Sequence, residues 1–153
     1  MRQKLFSLII GLGLSGVVGG LTGCISALPP KVEVVGAQVV EQSPEGARLE
    51  IALVLTNPND VSLPLPEATY TVSVPGVGSF DAFDLPAKIL PAGGTQSVTL
   101  PVAIRTQGVD LAGRTWRANG TVTYDPDNGI RRFLTETGAP LPIAFFGGEG
   151  TLE

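Results

Sequence analysis

The chain contains no histidine, which removes the side chain that most often serves as general base near neutral pH and as metal ligand. Cysteine occurs once, at Cys24, so no disulfide can form within the chain and no cysteine metal cluster can be assembled. Lysine is also scarce. Beyond the first residues only Lys31 and Lys88 occur, and neither follows a serine in a Ser-x-x-Lys arrangement that would activate a hydroxyl. Asp81 and Asp84 are the nearest approach to a carboxylate pair, but three residues apart in an irregular extended segment they are expected to point into water. Positive charge is short as well: 10 Lys and Arg stand against 14 Asp and Glu, a net charge of −4. Nucleic-acid binding rests on neutralising phosphates, and a charge-driven grip on an anionic bilayer needs basic clusters. Neither is expected of this chain. An enzyme is not expected, and no cofactor is implied.

What the sequence does contain begins at its N-terminus. Arg2 and Lys4 precede an apolar run from Leu5 to Val18, and small residues lead to Leu21-Thr22-Gly23-Cys24. That is the order of parts in an export signal. Leu21, Thr22, Gly23 and Cys24 resemble the bacterial lipobox, in which the cysteine thiol takes a diacylglyceryl group and becomes the mature N-terminus. Two other readings exist. A membrane-spanning anchor needs about 20 apolar residues, and Leu5 to Leu21 is slightly short and interrupted by five glycines. A buried structural cysteine is the other, but Cys24 precedes any strand pattern. The expected division is a signal peptide at 1–23, a lipidated and proline-containing tether at 24–31, and one domain at 32–153. Removing Arg2 and Lys4 makes the mature part more acidic still. Ile25 replaces the Asp that retains some lipoproteins at the inner membrane. The expected location is therefore the cell envelope, at the periplasmic side of the outer membrane if the organism has two membranes.

From Val32 onward, β-branched runs alternate with turn residues. Val32, Val34, Val35, Val39 and Val40 read as a first strand. Leu49, Ile51, Leu53 and Leu55 alternate with Glu50, Ala52, Val54 and Thr56, a pattern suited to a central strand. Asn57-Pro58-Asn59-Asp60 ends it, since the Asn and Asp side chains close local turns. Tyr70, Val72 and Val74 mark another strand, and Phe80, Phe83 and Leu85 a short irregular pair near Pro86. Val98, Leu100, Val102 and Ile104 face one way in a run that Pro101 demotes to an edge or a bulge. Residues 108–113 have room for one helical turn near Asp110. Trp116 to Tyr124 and Leu141 to Leu152 complete the set. Trp116, Tyr70, Tyr124 and the phenylalanines are expected in the core, except that one of Phe145 and Phe146 must face outward.

Three further features invite a functional reading. Asp125 and Asp127 open like a calcium loop, but Gly129 falls at the fifth position where a ligand belongs, and Asn128-Gly129 is a strong turn signal. They remain weak metal candidates. Asn57 and Asn59 are expected to bond backbone groups rather than a ligand. Arg131-Arg132 beside Phe133 is read as a solvated loop or a small basic contact patch.

The run Leu53 to Asp60, with Asn57-Pro58-Asn59 at its centre, resembles the signature of the type 2 late-embryogenesis-abundant proteins, also called the water-stress and hypersensitive-response (WHy) domain. Tyr70-Thr-Val-Ser-Val, Leu90-Pro-Ala-Gly-Gly, Ser97-Val-Thr-Leu-Pro-Val and the closing Ile143 to Leu152 are similar to later pieces of the family in the same order, over residues 32–152. The resemblance implies an all-β, seven-stranded immunoglobulin- or fibronectin-III-like sandwich with at most one short helix. It also implies a non-catalytic role in desiccation or osmotic stress. Residues 105–113 are shorter than the family's helical crossover, and 125–140 longer than its usual connection. The alternative is an envelope adaptor or apolar-ligand module, with a protein or lipid partner at a sheet edge. A hydrolase is disfavoured by the missing imidazole and thiol.

Overall fold

A computed structural model describes residues 27–126 and 129–152. The segments expected to be a signal peptide and a lipobox, with Cys24, and the weak metal candidate Asp127 lie outside the described residues. Those residues form nine strands and one helix. In chain order they are β1 Lys31–Gln42, β2 Ala47–Thr56, β3 Leu63–Leu65, β4 Glu67–Val74, β5 Gly78–Asp84, β6 Lys88–Leu90, β7 Thr95–Ile104, β8 Thr115–Thr123, α1 Gly129–Thr137 and β9 Ile143–Thr151. Every pairing is antiparallel. One layer has the order β1-β2-β7, the other β5-β4-β8-β9, and β3 pairs with β6 as a small third sheet.

The side-chain alternation explains the two layers. Leu49, Ile51, Leu53 and Leu55 of β2 are fully buried, and Val98, Leu100, Val102 and Ile104 face them from β7. Tyr70, Val72, Val74, Trp116, Ala118 and Val122 close the core from the opposing sheet. Each large apolar side chain buried this way contributes roughly 1.5–3 kcal/mol. β7 pairs only with β2, so Pro101, opposite Glu50, sits on a strand whose outer side has no ladder to break.

At the other margin of the sandwich, β1 and β9 approach without pairing. A Cβ on Gly148 would lie 2.5 Å from the Cβ of Val34, so only glycine lets β9 come this close to β1. β1 is itself irregular, with register shifts between Val34 and Gly36 and between Val39 and Glu41.

Three expectations are corrected. The described residues form nine strands, not seven: the two layers hold three and four, and Leu63–Leu65 and Lys88–Leu90 add a two-stranded sheet of their own. Three residues are too few to show a period of two, and Pro64, Pro66 and Pro86 disguise them further. The helix is not at residues 108–113, where Leu111 is buried within turns. It is α1, in the stretch read as a long loop. Ile130, Phe133 and Leu134 have helical spacing but span little more than one turn. Arg132 and Glu136 pair at 2.9 Å, and Gly138, at φ 68°, lets Ala139 N–H reach back to the Leu134 carbonyl at 3.0 Å. Finally, Phe83 and Phe133 are exposed rather than core, while of the adjacent pair Phe145 faces outward and Phe146 is buried, as the alternation requires.

Candidate functional site

The antiparallel order puts chemistry at two ends of the sandwich. β2 ends, β4 begins, β5 ends, β7 begins, β8 ends and β9 begins at one pole, and β1 starts there because Lys31 pairs with Thr56. This is the tether pole. The hairpin between β4 and β5, the start of β8 and the end of β9 lie at the other.

Asn57 organises the tether pole. Its side chain is 1% exposed, and its Nδ2 donates to the carbonyls of Val61 at 2.8 Å and Pro91 at 3.0 Å, with Leu90 O at 3.4 Å. Its Oδ1 accepts from the backbone N–H of Asn59 at 3.0 Å and from Asn59 Nδ2 at 2.9 Å. The backbone of Asn57 donates to Gly94 O at 2.9 Å. One residue therefore ties the end of β2 to the turn that launches β7. Asn59 extends the network outward. Its Oδ1 accepts from Leu28 N–H at 2.7 Å and its Nδ2 donates to Leu28 O at 2.8 Å. An amide side chain here imitates a strand neighbour, satisfying both backbone groups of Leu28 across 31 residues of sequence. Nothing in residue type or spacing announces that clamp.

The same pole holds α1 and Asp125. Asp125 N–H donates to Pro64 O at 2.9 Å, which docks the segment after β8 onto β3. Its Oδ2 lies 3.3 Å from Arg131 Nε. That guanidinium occupies one face of the carboxylate, and among the described residues no group of three or more potential ligands gathers. Arg131 and Arg132 thus belong to a helix and face acidic partners, rather than standing in a free basic loop.

At the far pole, a cleft of about 870 Å³ is lined by Ser73, Pro75, Ser79, Trp116, Arg117 and Glu149 among others. An opening of about 390 Å³ at the β1–β9 margin shares Trp116, Glu149, Gly150 and Thr151 with it. Trp116 is 3% exposed, and its indole N–H has no acceptor among the described residues. Arg117 Nη2 and Glu149 Oε2 bridge the rim at 2.9 Å. The hydroxyls of Ser73 and Ser79 contact one another, but Lys31 and Lys88 both sit at the tether pole, so neither lysine can serve them as base. The lining is mixed, with hydroxyls and the Arg117–Glu149 pair beside Val74, Pro75 and Trp116.

Two tyrosines are perturbed. Tyr70 donates its hydroxyl to the Pro101 carbonyl across the layers, and burial, with a lesser push from Asp84, raises its pKa to about 12. Burial also raises that of Tyr124.

No family model matches the chain. An uncharacterized protein of Methanocaldococcus jannaschii, MJ1138, is 24% identical over 127 residues, covering 81% of this chain and 72% of its own. Among solved structures, a putative late embryogenesis abundant (LEA) protein, At2g46140.1, superposes with a TM-score of 0.56 at 15% identity, over 80% of this chain and 71% of its own. The fold is shared with a putative LEA protein. AT1g01470 of Arabidopsis thaliana matches similarly, with a TM-score of 0.54 and 17% identity over 83% of this chain and 84% of its own. At such identities the likeness is one of fold alone.

Proposed function

We propose that this is a non-catalytic, lipid-anchored cell-envelope protein whose LEA type 2 domain protects neighbouring proteins or membrane during drying or osmotic shock. The observation that carries this reading is the fold shared with a putative LEA protein. Two things support it: the Asn57-Pro58-Asn59 run sits where a central strand ends, and the N-terminal sequence has the parts of a lipoprotein signal. In this reading Cys24 carries the lipid, Ile25 to Ala27 form the free tether, and the domain is an immunoglobulin-like sandwich elaborated by β3 and β6. Deleting the gene should lower survival of desiccation or osmotic shock, and unchanged survival overturns the stress role. Radiolabelled palmitate should appear in the wild type and vanish in Cys24→Ala, which tests the anchor separately.

A second reading, an adaptor or apolar-ligand module, is favoured by the far-pole cleft and the unpartnered indole N–H of Trp116. The single tryptophan makes it directly testable. Envelope lipid extracts that bind there should shift its emission, and native mass spectrometry should show the added mass.

A further inference from the structure

Of the eight large apolar side chains left in solvent among the described residues, Val35, Phe83 and Phe145 lie along β1, β5 and β9, and the other five share one end of the sandwich. Leu28, Leu85, Ile89, Phe133 and Ile143 are between 44% and 62% exposed, and all five lie at the tether pole. Leu28 is the clamped tether itself. Leu85 follows the end of β5, Ile89 is in β6, Phe133 is on α1, and Ile143 begins β9. Leu85 and Ile89 are only four residues apart, but the five come from four separate stretches of chain, so sequence proximity does not explain their meeting at one end. Single exposed apolar residues need no explanation, but several converging on one pole mark an interaction surface.

The chain outside the described residues says what covers that surface. Residues 1–26 join the domain at Ala27, on this same pole, and contain the apolar run from Leu5 and the lipidation candidate Cys24. With Leu28 held by Asn59, only the steps from Cys24 to Leu28 separate an acylated cysteine from the folded body. Four residues span at most about 14 Å. A polar headgroup layer is itself roughly 5–8 Å deep on each side of the hydrocarbon. Even fully extended, that run keeps the pole within about 6–9 Å of the headgroup surface, and the pole carries five exposed apolar side chains.

We propose that the tether pole, through Leu28, Leu85, Ile89, Phe133 and Ile143, rests in the interfacial layer of the bilayer that holds the N-terminus, standing the sandwich upright on the membrane. The proposal rests on the anchoring read above, by lipid or by an uncleaved apolar segment. Charge is not the driving force. Arg131 is matched by Asp125 and Arg132 by Glu136, and Asp60, Glu67 and Asp84 outweigh Lys88 nearby. Docking should therefore be insensitive to salt and should not require anionic lipid.

The chain's own tryptophan supplies a control, because Trp116 lies at the far pole. The experiment uses the full chain, processed in its envelope and reconstituted into phosphatidylcholine vesicles carrying brominated acyl chains. The probe variant is Phe133→Trp. Wild-type emission should be unquenched, whereas the introduced indole should be blue-shifted and at least twofold quenched, equally at low and high salt. Adding Ile89→Asp and Leu85→Asp should abolish the quenching while the protein still floats with the vesicles. Failure to float overturns the anchoring and the docking with it. Flotation with the introduced indole red-shifted and unquenched overturns the docking alone. A blue shift without quenching assigns the surface to a second copy of the chain and also overturns it.

Discussion

One amide nitrogen on Asn57 faces three backbone carbonyls in a site closed to water. Replacing it by alanine takes the Asn57 amide from those acceptors and from the Asn59 N–H, while Asn59 Nδ2 keeps only Leu28 O, and unmade buried bonds cost more than made ones contribute. Asn57→Ala should therefore lose about 2–3 kcal/mol in chemical denaturation. Asn59→Ala acts differently. Its partners at Leu28 are exposed, so global stability should fall by only about 0.5–1 kcal/mol, while the Leu28 amide should lose most of its protection from hydrogen exchange. Tyr70 carries a pH prediction. Its pKa is about 12 in the folded protein against an ordinary 10, so between those values the folded state holds a proton that the unfolded state has released. The stabilisation is whole below pH 10 and is lost as pH rises towards 12. Melting curves across that window should flatten in Tyr70→Phe, which forgoes the hydrogen bond to Pro101 at all pH values but has nothing there to titrate.

Among the elements, the closing of β9 on β1 is the most constrained. Gly148→Val would push a branched side chain into Val34, and overpacking of this kind typically costs about 1–3 kcal/mol. A drop in the urea midpoint, recovered partly by pairing it with Val34→Ala, would show that the contact is the cause. The strands β2, β4 and β7 were legible in the sequence because each carries at least three buried positions at a spacing of two, as in Leu49 to Leu55 or Val98 to Ile104. β3 and β6 were not, since three residues carry no period and prolines flank them. α1 was not, because its three apolar residues span barely more than one turn, and Phe133 points outward. The Asn57 role as a partner of backbone groups could be read from residue type. The clamp on Leu28 could not, because its acceptor and donor are main-chain atoms 31 residues away, and backbone leaves no mark in composition. The Trp116 cleft was likewise hidden, since a tryptophan in a strand pattern looks the same whether or not its N–H finds an acceptor.

For the whole molecule, the two poles have separate tasks. β1 alone spans 12 residues, about 40 Å at the usual rise of a strand. In the proposed docking, an upright sandwich carries the Trp116 cleft tens of ångströms from the lipid, facing the aqueous space. A ligand or partner bound there meets the protein from the water side, so substitutions in the cleft and at the tether pole should be additive. Doubling Trp116→Phe with Phe133→Asn should give the sum of the two stability changes within about 0.5 kcal/mol. The clamp at Leu28 has one more consequence, for turnover. Proteases take their substrates as extended strands, and with the clamp closed the run between Cys24 and the folded body offers only Ile25, Ser26 and Ala27. If Cys24 is lipidated as proposed, cutting the domain loose from that anchor must wait for Asn59 to let go, and the rate at which the protein is shed becomes a measure of how often it does.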